Sequence, residues 1–101
     1  MTMAKIKISK ERLAEFCRNN GIQKLSLFGS VLSDDFGPDS DVDVLVEFKP
    51  GTRIGLIRLT RLEFELSEII GRKVDLNTPG FLSSYFRSDV MAEREVQYAE
   101  A

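Results

Sequence analysis

The chain has 101 residues, 14 Lys and Arg against 16 Asp and Glu for a formal net charge of −2, no histidine and one cysteine. Those numbers allow one small core and exclude an intrachain disulfide framework, a His- or Cys-based zinc or copper centre, and the strongly basic face of a nucleic-acid-coating protein. No stretch reaches the roughly 18 apolar residues of a membrane helix, and the opening MTMAKIKISK lacks a signal-peptide core, so a cytoplasmic location is expected. No repeat, low-complexity segment or dividing linker interrupts residues 1–101, which read as a single domain.

In chain order, Ser9 is placed to cap a helix over Lys10–Asn19, closed by Asn20-Gly21, with Leu13, Phe16 and Cys17 as its buried stripe. Leu25–Phe28 alternates as a short strand and turns at Gly29 into a helical turn over Val31–Asp35. Gly37-Pro38-Asp39-Ser40 reads as a turn before a second strand, Asp41–Phe48. Lys49-Pro50-Gly51-Thr52 stops that strand, and a helix follows from Ile54 to Ile70, ended by Gly71. Its stripe is Leu59, Leu62, Leu66 and Ile69, with Phe64 and Ile70 near the edges. A strand over Lys73–Asn77 comes next, so the long helix has the length of a crossover covering one sheet face. Thr78-Pro79 opens a short segment carrying Phe81, Leu82, Tyr85 and Phe86, whose aromatic area suits either the core or a partner surface. Ser88 or Asp89 is placed to cap a last helix from Val90 to Ala99.

The chemistry concentrates in Leu25–Phe48. This stretch has no Lys or Arg but carries Asp34, Asp35, Asp39, Asp41, Asp43 and Glu47. In a strand, residues i and i+2 share a face, so Asp41 and Asp43 stand side by side while Val42, Val44 and Val46 face a core. Carboxylates about 4 Å apart repel by roughly 4 kcal/mol at an effective dielectric of 20, which leaves a raised pKa, solvent exposure or a shared cation. With no histidine available, the cation that suits such oxygen donors is Mg²⁺ or Mn²⁺. Gly29-Ser30, at the strand end, can bring free backbone N–H groups and a hydroxyl to phosphate oxygens. A solvated acidic loop is the alternative for Asp34 and Asp35, and an exposed edge strand for Asp41 and Asp43.

Gly29-Ser30, a short spacer and then DSDVDVLV resembles the signature of the DNA polymerase beta-like nucleotidyltransferases, and within them the minimal MNT-domain group, many of which are antitoxins encoded beside a HEPN-domain toxin. The resemblance implies an α+β fold, a small mixed β-sheet with helices packed on it like the polymerase beta palm. It also implies a triphosphate held at Gly29 and Ser30, two metal ions on Asp41 and Asp43, and a third carboxylate from a neighbouring strand. Asp75, alone on its face between Val74 and Leu76, is the best match for the third, as metal ligand or general base. The activity implied is transfer of AMP from ATP to a tyrosine of the partner toxin.

Two other functions fit the same residues. One is a binding antitoxin that occludes a HEPN ribonuclease without chemistry. The other is a transferase acting on a small molecule, for which a second copy of the chain could supply the missing substrate surface. Direct nucleic-acid polymerisation is disfavoured, because an acidic chain of this length has no basic surface for primer and template. Arg53, Arg58, Arg61 and Arg72 are the candidates for positive charge near the phosphates.

Overall fold

The computed structural model describes residues 6–100, apart from the side chain of Phe81. Helix α1 (Lys10–Asn19) begins at Ser9, whose hydroxyl accepts from the Arg12 amide at 3.3 Å. Its buried residues are Leu13, Phe16 and Cys17, the stripe that the sequence predicts. Burial pushes the Cys17 thiol up to about 12 against a smaller opposing pull from Arg18, so the side chain is an inert core group. Strand β1 (Ile22–Phe28) is three residues longer at its start than the predicted one.

A 3-10 turn over Gly29–Leu32 replaces the expected turn over Val31–Asp35 and leads through an irregular loop to strand β2 (Val42–Phe48). Helix α2 (Leu56–Ile70) and strand β3 (Val74–Asn77) follow. The sheet order is β3-β2-β1-β4, with β1 antiparallel to β2 and β4 (Glu95–Ala99), and β3 parallel to β2. A parallel neighbour requires a crossover, which α2 provides.

The core lies on one face of this mixed sheet. Leu25 and Leu27 of β1, Val42, Val44 and Val46 of β2, and Val74 and Leu76 of β3 pack there with Leu13 and Phe16 of α1 and Leu59, Leu62, Leu66 and Ile70 of α2. Phe64, expected at the edge of the α2 stripe, is 69% exposed instead. The periodicity holds at 59, 62, 66 and 70, and residue 64 falls on the opposite side of that stripe.

The other sheet face carries Asp43, Leu45 and Glu47 in alternation with the core valines. Leu45 is fully buried there, outside the main core cluster, and Leu82 is also buried outside that cluster.

The chain end departs from the predicted helix over Val90–Ala99. Helix α3 spans only Arg87–Glu93, starts after Phe86 without a side-chain cap, and gives way at Arg94 to β4. The physical reason is the free edge of β1: its outward N–H and C=O groups need partners, and Glu95–Ala99 supplies them, with a register shift between Leu25 and Ser26, extended by the Glu100 amide donating to the Gln23 carbonyl at 2.8 Å. Val96 and Tyr98 are as acceptable in a strand as in a helix, so the pairing decides. Tyr85 and Phe86, at 94% and 51% exposure, do not complete the core. The side chain of Phe81, grouped with them in the sequence reading, lies outside the described residues.

Arg72 ties the acidic loop to the sheet. Its guanidinium donates to the carbonyls of Gly37, Pro38 and Ser40 at 2.7, 3.2 and 2.8 Å and lies 4.5 Å from the centre of the Phe36 ring. Of the four arginines considered as phosphate contacts, this one is therefore occupied in holding the approach to β2. Arg72→Ala should lower stability by about 2 kcal/mol through loss of these charge-assisted bonds and the ring contact. Arg72→Lys should recover only part of it, because an ammonium group lacks the flat face that lies over the Phe36 ring. Urea unfolding midpoints of the three proteins check both expectations.

Candidate active site

The site starts from a row across three strands. Phe28, the last residue of β1, pairs with Asp43 of β2, and Asp43 pairs with Asp75 of β3. Paired positions on neighbouring strands share a face and lie about 4.8 Å apart, so the two carboxylates project side by side on the face away from the helices. Asp43 is half-buried, whereas Asp75 is exposed and so is Asp41, which lies just before β2 begins. Asp43 thus stands at the centre of the three predicted acids. Its carboxyl is held above the usual range by burial first, then by the charge of Asp75, then by that of Asp41.

Gly29 closes the row at the β1 end. Its φ is 75°, and a β-carbon placed there would collide with the Asp43 carboxylate. The glycine is required twice over: for the left-handed turn out of β1 and for the close approach of backbone to acid. Ser30 follows in the 3-10 turn, which has no side-chain cap at its start. The Ser30 carbonyl accepts from the Ser33 amide at 2.9 Å and from the Ser33 hydroxyl at 3.1 Å, closing the turn on itself.

Two side chains that the sequence reading did not single out hold β3 in place. The Ser67 hydroxyl accepts from the Val74 amide at 3.1 Å, and a Glu63 carboxylate oxygen accepts from the Leu76 amide at 2.8 Å. Both come from α2, so the helix satisfies the outer edge of a four-residue strand and thereby fixes the position of Asp75. Their signal was present in the sequence as polar residues at i and i+4 beside an apolar stripe, but that pattern also describes any solvated helix face.

Two cavities flank the row. The larger, about 370 Å³, is lined by Asp43 and Asp75 together with Phe28, Asn77, Leu82, Ser83 and Phe86. The smaller, about 180 Å³, is lined by Gly29, Leu32, Ser33 and Glu93.

Among the described residues no three Asp, Glu, Cys or His side chains are drawn tightly enough to form a metal cage by themselves. What the geometry offers is an open set of hard oxygen donors, Asp43 and Asp75 with Asp41 nearby, each adding to the other's charge. That set fits a divalent ion that completes its coordination with water and phosphate oxygens, as Mg²⁺ does.

A strand-borne pair of acids, a glycine turn packed against it and a mixed sheet with helices on one face define a nucleotidyltransferase-type α+β domain. Residues 9–96 match the family model described as Nucleotidyltransferase domain, and the chain belongs to that family. It is a nucleotidyltransferase. It is 31% identical over 84 residues to a provisionally named protein adenylyltransferase of Methanocaldococcus jannaschii, spanning 83% of this chain and 88% of that one. It is 35% identical over 78 residues to the protein adenylyltransferase MntA of Thermococcus cleftensis, spanning 77% and 75%. In structure it resembles a chain of a toxin–antitoxin crystal structure with AMP-PNP, at TM-score 0.74 and 20% identity over 92% of this chain and 75% of that one. A complex of a tri-AMPylated Shewanella oneidensis HEPN toxin with an MNT antitoxin matches at TM-score 0.66 and 20% identity, over 90% and 70%.

The raised Asp43 carboxyl fixes the sign of a pH effect. A carboxyl whose folded pKa lies above its unfolded value, about 3.8, stabilises the fold fully below that value, and the contribution is lost as pH rises through the folded pKa. At neutral pH without metal, Asp43 is therefore a net cost, and Asp43→Asn should raise the thermal midpoint by a few degrees. The gain should shrink on acidification toward pH 4, as followed by circular dichroism. Gly29→Ala should cost more than Gly51→Ala. Both positions have positive φ, but a β-carbon at Gly51 meets nothing within 4 Å, so the difference in midpoint isolates the clash with Asp43.

Proposed function

We propose that this chain is a metal-dependent protein adenylyltransferase that moves AMP from ATP to a tyrosine hydroxyl of a HEPN-domain toxin and thereby acts as its antitoxin. The observation that carries the reading is the in-register pair Asp43–Asp75 with Gly29 packed against it. The names of the two archaeal relatives, and the AMPylated toxin found with an MNT antitoxin, support the acceptor class. The AMP-PNP complex supports the nucleotide.

Asp41, Asp43 and Asp75 would hold two Mg²⁺ or Mn²⁺ ions. When bound, these supply charge neutralisation on the triphosphate and a lowered pKa for the acceptor hydroxyl. The residues of the chain do the rest. Backbone N–H groups at Gly29 and Ser30, with the Ser30 hydroxyl, hold phosphate oxygens at the β1 end of the row. Asp43, at the centre of the row, would be a ligand to the ions rather than a direct contact of the anionic phosphate. Asp75, exposed at the β3 end, takes the acceptor proton and passes it to water. Tyr85, at 94% exposure next to Phe86 on the cavity wall, gives a protein partner an apolar foothold beside this row.

The test is transfer of label from α-labelled ATP, with Mg²⁺ or Mn²⁺, to a purified HEPN-domain protein from the neighbouring gene. The wild type should label it, and Asp41→Asn/Asp43→Asn should reduce the rate on the order of 100-fold or more. Mg²⁺ should raise the thermal midpoint of the wild type but not of the double variant. Absence of label alongside a stable complex that blocks ribonuclease activity would replace this reading with occlusion by binding alone.

A further inference from the structure

We propose that the cavity beside Asp75 is the acceptor subsite and is shaped for an aromatic hydroxyl, with Phe28, Leu82 and Phe86 holding the ring and Asn77 and Ser83 contacting the peptide around it. The inference deepens the transferase reading above and rests on it.

The first support is directional. Displacement at phosphorus places the attacking and leaving oxygens roughly in line. The strand order puts Gly29 at the β1 end of the row, Asp43 in the middle and Asp75 at the β3 end. With pyrophosphate held at Gly29-Ser30, the attacking oxygen arrives from the Asp75 side. The 370 Å³ cavity spans the row from Phe28 to Asp75 and includes that side, with both carboxylates in its wall.

The second support separates acceptor from nucleobase. A base is separated from the α-phosphate by the whole ribose, whereas an acceptor oxygen must reach the phosphorus itself. A cavity whose own wall carries Asp43 and Asp75 suits the group that reaches the reacting atom.

The third is the chemistry of the lining. Among the described residues no lysine or arginine borders this cavity, while two carboxylates do. A polyanionic acceptor such as a nucleic-acid end would meet repulsion without compensation. Two phenylalanines and a buried leucine instead offer a ring the edge and face contacts it prefers. A tyrosine carries its hydroxyl a full ring away from the main chain, so the oxygen reaches the acids while the peptide stays at the rim. Serine or threonine would have to bring its backbone inside. Phe86, half exposed, and Ser83, exposed, form that rim. Asn77, whose side-chain amide donates to the Asp75 carbonyl at 3.2 Å, also lines the cavity.

In the step itself, the phenolic oxygen bonds to the α-phosphorus as the bond to the bridging oxygen breaks. That electron pair leaves with pyrophosphate, and the phenolic proton passes to the Asp75 carboxylate and then to water.

Two surface variants of the full chain test this without threatening the fold: Phe86→Ala removes a wall, and Ser83→Trp fills the space. Each should lower kcat/KM for the protein acceptor about tenfold or more while leaving the Kd for AMP-PNP within about twofold of the wild type. Independently of turnover, N-acetyl-tyrosinamide added to the wild type with Mg²⁺ and AMP-PNP should shift the NMR signals of the Asn77 amide and the Phe86 ring. N-acetyl-serinamide should not, and Ser83→Trp should abolish the shifts. A matching loss of AMP-PNP affinity in Phe86→Ala would make the cavity the base pocket and overturn the proposal. Transfer by a wild type whose Asn77 and Phe86 signals ignore the tyrosine probe would overturn the subsite alone. Absence of any transfer by the wild type would bring down the transferase reading from which the subsite derives its direction.

Discussion

Two like charges held side by side on adjacent strands are the constraint around which this small structure is arranged. Asp43 and Asp75 are in register across a parallel pair, and the repulsion between them, added to partial burial, keeps the Asp43 carboxyl above its ordinary range. Such an arrangement opposes folding unless other contacts outweigh it. Those contacts sit directly beneath: the residues flanking Asp43 on β2 are fully buried valines, and those flanking Asp75 on β3 are Val74 and Leu76. Alternation along each strand therefore couples the cost to its compensation. The side chains that hold the strands together point one way, and the charges point the other.

That division gives the sheet two faces with different duties. Helices α1 and α2 cover one, and their apolar stripes pack on the strand residues to make the core. The opposite face is left to the acids, the Gly29 turn and the segment after β3, which buries Leu82 but leaves Tyr85 and Phe86 toward solvent. Helix α2 reaches around the sheet edge as well. Through Glu63 and Ser67 it satisfies the outer amides of β3, so the element that builds the core also orients an acid on the far face. Rigid support from elements outside the site is what a transferase needs if the reacting groups are to stay aligned.

Much of this was legible in the residues. Ser9 and the Leu13-Phe16-Cys17 spacing marked α1, and the alternation from Asp41 to Phe48 marked β2 and the side on which its acids project. Gly29 before Ser30 marked a turn that no other residue tolerates well. The readings that failed have a common origin. Residues 95–99 carry a pattern that serves a helix or a strand equally, and the edge of β1 that settles the matter lies some seventy positions away in the chain. Arg72 looked like one of four equivalent cations until the loop it clamps came within reach. Phe64 looked like the margin of a stripe whose width only the packing defines.

By itself the sequence determined the local geometry: which residues cap, which alternate, where glycine is obligatory and which acids share a strand face. These follow from backbone sterics and side-chain periodicity, which act within a few residues. Only the tertiary structure decided that Asp75 stands level with Asp43, that β4 completes the sheet, and that Phe28, Leu82 and Phe86 meet over the acids to form a cavity. Those are matters of register and chain return. They are set by the mutual satisfaction of backbone hydrogen bonds and buried surface between segments far apart in sequence, and no local pattern encodes them.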